Sequence, residues 1–170
     1  MGLEEKIRSV PDFPKEGILF RDITTLLKDG AALAAAADAL YEPFRKERVD
    51  RVAAVESRGF IFGAPIALKA GCGFVPIRKP GKLPAAVESA EYELEYGADR
   101  IEVHRDAVEP GQRVLLVDDL LATGGTMAAA VRLIVRLGGE VAGIAFLIEL
   151  ADLKGREKLK GHRVHSVIVY

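Results

Sequence analysis

Cysteine is nearly missing: Cys72 is the single one in 170 residues. One thiol excludes an intramolecular disulfide framework and a thiolate zinc cluster, and it suits a chain kept in a reducing compartment. Long apolar runs are missing too. The longest, Ala31–Ala37 and Val141–Ile148, are far too short to span a bilayer. An excess of either charge is absent, with 24 basic and 25 acidic residues and a net charge of −1. Such a balance gives no global cationic surface for nucleic acid or an anionic membrane. The first residues, Met1 to Lys6, carry acids where a signal peptide needs an apolar stretch. Gly2 suggests no myristoyl site, because Lys6 stands where that motif needs Ser or Thr. A cytoplasmic location is expected. Neither an internal repeat nor a low-complexity linker divides the chain, so residues 1–170 are expected to form one domain.

What is present describes a globule. Hydrophobic residues make up 49% and charged residues 29%, a composition that excludes disorder. A chain of this length buries about 70% of its surface on folding. Asp29-Gly30 opens a helical pattern in which Leu33, Ala36, Ala37 and Leu40 share a face. Arg51–Val55 reads as a short buried strand, and Gly59–Ala70 as a helix ended by Gly71. Phe74–Ile77 is another short apolar run. Val114–Val117 is a strand covered on both faces. Met127, Ala130, Val131, Ile134 and Leu137 keep helical spacing up to Gly138-Gly139, and Val141–Ile148 is strand again. A short helix over Lys154–Leu159 and a last strand over Val164–Tyr170 complete the chain. Alternating strand and helix predicts an α/β fold with a mainly parallel central sheet flanked by helices.

Residues 82–106 differ. Acids alternate with Tyr92, Leu94 and Tyr96, and Gly97-Ala98-Asp99 offers a turn before Ile101 and Val103. This pattern predicts an exposed hairpin, either a mobile flap or a solvated ribbon.

The informative stretch is Val114-Leu115-Leu116-Val117-Asp118-Asp119-Leu120-Leu121-Ala122-Thr123-Gly124-Gly125-Thr126. A buried strand delivers two adjacent carboxylates near its carboxyl end, where open α/β sheets place ligands. Ala122, Gly124 and Gly125 have almost no side chain, so an anion can approach backbone N–H groups. Thr123 and Thr126 add hydroxyls, and the following helix adds its positive end. The acids have hydroxyl groups or a hydrated cation as natural partners. A phosphate at one end and a diol nearby describe a ribose 5-phosphate. The chain has neither G-x-x-x-x-G-K-[ST] nor G-x-G-x-x-G after a strand, so P-loop and dinucleotide readings fail.

This stretch resembles the phosphoribosyl pyrophosphate signature of type I phosphoribosyltransferases. Four others narrow the resemblance to the adenine phosphoribosyltransferase family: Phe20-Arg21-Asp22-Ile23-Thr24, Glu56-Ser57-Arg58-Gly59-Phe60, Ile77-Arg78-Lys79-Pro80-Gly81-Lys82-Leu83-Pro84 and Leu94-Glu95-Tyr96-Gly97. Their order matches from about Pro11 to the end, with Leu153-Lys154-Gly155-Arg156-Glu157-Lys158-Leu159 matching the C-terminal region. Glu56 stands where many members have aspartate. Pro80 sits where some have arginine, which removes one possible cationic contact.

The resemblance implies a reaction of adenine with phosphoribosyl pyrophosphate to give AMP and pyrophosphate, through an oxocarbenium-like transition state. It implies Mg²⁺ held mainly through substrate and water, without direct protein ligands, and a homodimer with the basic loop at its contact. A base-recognition segment over about 1–28, a flap over about 82–106 and a small hood from both termini are implied as well. By the same resemblance Phe20 and Arg21 recognise the base. Ser57, Arg58 and Gly59, after a peptide expected to be cis, take pyrophosphate together with Arg78, Lys79 and Lys82. Asp118 and Asp119 hold the ribose hydroxyls, and Ala122, Thr123, Gly124, Gly125 and Thr126 hold the phosphate. Glu95 assists proton transfer from adenine, beside Tyr96 on the flap. His104, His162 and His165 have no nucleophile or metal pairing. Two other readings remain open. One is a non-catalytic regulator on the same fold, against which stand the net charge and the shortness of Met1–Asp12. The other is an enzyme acting on xanthine or hypoxanthine, since base choice turns on a few hydrogen bonds.

Overall fold

After a 3₁₀ turn at Glu4–Lys6 comes an antiparallel hairpin, β1 (Arg8–Pro11) and β2 (Leu19–Asp22), that pairs Arg8 with Asp22 and Pro11 with Leu19. A computed structural model describes residues 2–94 and 96–170. After one turn of helix, α1 (Thr24–Leu27), comes α2 (Gly30–Tyr41). The Asp29 side chain caps α2 by accepting from the Ala31 and Ala32 N–H groups, both at 3.1 Å. Next follow β3 (Arg51–Val55), α3 (Arg58–Ala70), β4 (Gly73–Ile77), a hairpin of β5 (Val87–Glu93) and β6 (Ala98–His104), then β7 (Arg113–Leu121), α4 (Gly125–Arg136), β8 (Glu140–Glu149) and β9 (Val164–Val169). Short 3₁₀ turns at Ala151–Leu153 and Gly155–Leu159 link the last two strands.

The central sheet has the order β4-β3-β7-β8-β9, and all four pairings are parallel. The expected α/β class is therefore found. Side chains alternate between two cores, as a strand's period of two requires. Val52, Ala54, Leu115, Val117, Ala145 and Leu147 join the helices α1, α2 and α3 in one core. Ala53, Val55, Val114, Leu116, Ile144 and Phe146 join α4 and the β5–β6 hairpin in the other. A sheet buried on both faces explains the near-continuous aliphatic runs of its strands.

The hairpin corrects one expectation. It is not an exposed ribbon along its length: Ala90, Tyr92, Ile101 and Val103 are buried against α4 and the sheet. Alternation of acids with apolar residues marks a half-buried hairpin as readily as a solvated one. Ala98 and Asp99 already belong to β6, so the turn lies earlier than expected, with the Leu94 N–H donating to the Gly97 carbonyl at 2.9 Å. Leu94 and Tyr96, at the tip, are exposed.

In α3, Phe62 and Ile66 stand one turn apart and are fully enclosed, whereas Leu68 points outward with 83% exposure. Phe62→Ala is expected to cost about 3–5 kcal/mol in urea denaturation. Leu68→Ala should remain within about 0.5 kcal/mol of the parent chain. Equal losses at both positions would contradict this assignment of the buried face.

Candidate active site

The parallel sheet brings the carboxyl ends of β3, β4, β7 and β8 to one edge, the position at which α/β sheets bind ligands. Two adjoining pockets lie there. The first has about 340 Å³ of empty space and is lined by Asp118, Leu120, Leu121, Ala122, Thr123, Gly124, Gly125, Thr126, Met127 and Phe146. All five residues expected to cradle phosphate are thus gathered in one place. Gly124 has φ +83°, a left-handed conformation that a side chain disfavours, and it turns the chain from strand into α4. The opening backbone N–H groups of α4 have no partners within the helix, so this end of α4 is suited to an anion.

The second pocket has about 570 Å³ of empty space, is mainly apolar, and is lined by Ile18, Leu19, Phe20, Arg21, Arg58, Asp119, Leu120, Ile148 and Leu150. Leu120 lines both pockets, so they meet at the carboxylate pair. The Phe20 ring packs edge-on against Phe13, with centroids 5.1 Å apart. The Arg21 guanidinium lies over the Tyr170 ring at 3.6 Å and donates to the Ser9 hydroxyl at 2.6 Å. Asp22 accepts from the Thr24 N–H at 2.9 Å and pairs with Arg8. The Arg8 guanidinium and then the Thr24 N–H hold its carboxyl at about 2.

Between the pockets, Asp119 is buried and its carboxylate meets the Arg58 Nε at 2.7 Å. Arg58 also lies 5.9 Å from the Phe20 ring centroid. Asp118 accepts the Asp119 N–H at 2.9 Å. Burial, followed by the neighbouring Asp119 charge, pushes the Asp118 carboxyl well above the usual carboxylate range. Burial raises Asp119 too, with Arg58 opposing it. Gly59 is needed for the approach of α3 to this strand: a Cβ there would lie 2.9 Å from the Asp118 Oδ1. Ser57 precedes the first turn of α3, and the Glu56–Ser57 peptide is cis, as expected.

The basic loop is held by carboxylates. Glu56 accepts the Lys79 N–H at 2.7 Å, the Arg78 Nε at 3.2 Å and the Lys82 Nζ at 2.7 Å. Burial works to raise the Glu56 carboxyl, but Lys82, the Lys79 N–H and Arg78 outweigh it and hold it below its ordinary value. The Lys79 ammonium turns away to Asp99 and donates to the Tyr92 hydroxyl at 2.7 Å. Arg78 also exchanges backbone hydrogen bonds with Glu102, at 2.9 and 2.8 Å. The loop and the hairpin are therefore joined at their bases.

Tyr96 is 88% exposed at the hairpin tip and lines neither pocket. Glu95 lies outside the described residues. No group of three or more His, Cys, Asp or Glu side chains able to hold a metal converges among the described residues. Asp118 and Asp119 are nonetheless suited to the waters of a hydrated Mg²⁺, whose preference is for oxygen. The motif reading missed Tyr170, Leu120, Ile148 and Leu150, all of them at strand ends or the chain terminus. The rule that ligands lie beyond the carboxyl ends of strands was the available signal for them.

Among the described residues, no helix is long and apolar enough to cross a membrane. Residues 22–168 match the family model of the phosphoribosyl transferase domain. The adenine phosphoribosyltransferase of Clostridium perfringens is 56% identical over 170 residues, covering 100% of this chain and 99% of that protein. The crystal structure of adenine phosphoribosyltransferase from Thermoanaerobacter pseudethanolicus is 54% identical, with a TM-score of 0.95 over 99% of this chain and 100% of the other. That of Saccharomyces cerevisiae, complexed with an imino-altritol bisphosphate and adenine, is 41% identical, with a TM-score of 0.92 over 97% and 96%. Likeness of this extent, over a chain whose strand ends build adjoining anion and apolar pockets around paired acids, places the protein in the adenine phosphoribosyltransferase family.

Proposed function

We propose that the chain transfers the 5-phosphoribosyl group of phosphoribosyl pyrophosphate to adenine, releasing pyrophosphate and forming AMP in purine salvage. The observation that carries this reading is the meeting of the two pockets at Asp118 and Asp119. The phosphate end of the sugar enters the Ala122–Thr126 loop, and the base enters the apolar pocket beside Phe20 and Arg21. Ribose spans the carboxylates between them. Separation of the C1–O bond leaves positive charge on the ribose and negative charge on the pyrophosphate, and the oxocarbenium-like transition state asks the protein to steady both. Asp118 and Asp119 hold the 2- and 3-hydroxyls and favour the cationic ring. Arg58, released from Asp119, joins the Ser57 and Gly59 N–H groups at the pyrophosphate. Arg78 and Lys82 exchange Glu56 for its oxygens, while Lys79 acts from the hairpin side.

Asp118 and Asp119 would meet the waters of a Mg²⁺ held mainly through substrate and water, and the ion would supply neutralisation of the leaving pyrophosphate. Glu95 assists the proton transfer of adenine, and Tyr96 stands next to it in the flap sequence; both assignments rest on the Leu-Glu-Tyr-Gly resemblance. The protein acts as a cytoplasmic homodimer, a reading that also rests on the family resemblance and the composition.

Pyrophosphate release measured with phosphoribosyl pyrophosphate, Mg²⁺ and each purine base in turn is expected to show turnover with adenine far above that with hypoxanthine or xanthine. In the same assay Glu95→Gln should slow turnover about tenfold or more. No turnover with adenine would sink the reading.

The raised Asp118 pKa makes a separate prediction. A carboxyl whose folded pKa lies above its unfolded value binds more protons when folded, so its contribution to stability falls as pH rises through that interval. Asp118→Asn removes this cost. The variant should melt above the parent at pH 7, with the advantage shrinking as pH falls toward 4, while turnover drops at least about tenfold. A variant less stable than the parent at pH 7 would contradict the burial argument.

A further inference from the structure

Against the phosphate loop, at Ala122 and Gly124, lies the Gly155–Leu159 turn. The two backbones touch with no room between them. A Cβ on Gly124 would stand 2.4 Å from the Gly155 carbonyl oxygen, and one on Gly155 would stand 2.4 Å from the Ala122 carbonyl oxygen. The chain enters this turn through Lys154 at φ +53°, a left-handed conformation that residues bearing a side chain rarely adopt. Such a conformation persists only where the surroundings impose it.

Those surroundings are an ion pair that the proposed reaction does not use. Glu149, the last residue of β8, is buried, and its carboxylate accepts the Arg156 Nε at 2.8 and 2.9 Å. Arg156 also donates to the Val164 carbonyl at 3.0 Å and to the Ser166 hydroxyl at 3.3 Å on β9. One guanidinium thereby fixes the turn to two strands. Leu159, buried at the far end of the turn, fixes the other side. Glu149 lies opposite Leu121 in the β7–β8 register, one residue before the phosphate loop, and the Leu150 N–H donates to the Leu121 carbonyl at 2.9 Å. The strut thus starts and ends at the loop it supports.

We propose that Arg156, clamped by Glu149, is a positioning residue that sets the shape of the phosphate loop through Gly155, and so governs affinity for the phosphate end of the substrate without touching it. Small-residue loops bind anions through several N–H groups at once, and a displacement of about 1 Å can cost on the order of 100-fold in such a site. Neither Gly155 nor Arg156 lines the apolar pocket beside Phe20, which the strut meets only through Leu150, so changes at those two positions act on the phosphate end.

This inference rests on the proposed phosphoribosyl transfer, and its test keeps the two apart. Removing the guanidinium outright would leave a buried carboxylate unpaired, so Arg156→Lys, which keeps the charge but loses the fork, is compared with Gly155→Ala. In steady-state kinetics both variants should raise KM for phosphoribosyl pyrophosphate, by about tenfold or more for Gly155→Ala, while KM for adenine stays within about twofold. Thermal protection by ribose 5-phosphate alone should shrink in parallel, whether or not the parent turns over adenine. If Gly155→Ala does not fold, Arg156→Lys carries the test with the same readouts. Unchanged KM for phosphoribosyl pyrophosphate with undiminished ribose 5-phosphate protection in Arg156→Lys would overturn the proposal, as would equal increases in both KM values.

Discussion

Two consecutive carboxylates, Asp118 and Asp119, occupy a place where burial disfavours charge on each, and the Asp119 charge adds to the burden on Asp118. One internal counter-charge, Arg58, meets Asp119 from the first turn of α3. Most of the site follows from this crowding. The glycine at position 59 lets α3 come close enough to place Arg58, and the strand order puts α3 beside β7. A chain selected for stability alone has no reason to keep like charges side by side in such surroundings. The proposed phosphoribosyl transfer, which develops positive charge on the ribose, would give one.

The opposite charge is managed in the same manner. Arg78 and Lys82 converge on a single carboxylate, Glu56, and Lys79 is drawn to Asp99 on the hairpin. Held in this way, Arg78 and Lys82 stay together at one carboxylate and do not repel one another into solvent. A net charge of −1 averages over these local fields. It gives no sign of a polyanion-binding surface, and it conceals a candidate site that concentrates charge of both signs within a few residues.

The fold was legible where a side chain's neighbours in sequence are also its neighbours in space. Val114–Val117 reads as a doubly covered strand because it is one, and Asp29 announces α2 because its cap is local. The gathering of Ala122 to Thr126 around one pocket was legible for the same reason, since they are contiguous backbone. The hairpin was misjudged because alternation reveals that one face differs from the other, and says nothing of whether α4 covers the apolar one. The apolar pocket was legible only in part. Phe20 and Arg21 belong to a recognisable run, but Leu120, Ile148, Leu150 and Tyr170 reach the site through the sheet register and the chain terminus. Glu56, too, reads as part of a helix-opening motif, and only folding shows it holding a loop more than twenty residues away.

The central claim is that one ligand bridges the two pockets across the carboxylate pair. A crystal structure of the protein with AMP tests it most directly. The phosphate is expected on the backbone N–H groups of Ala122 to Thr126, the ribose hydroxyls on Asp118 and Asp119, and the adenine ring in the apolar pocket beside Phe20. An AMP whose phosphate lies outside that loop, or whose base lies away from Phe20, would contradict it.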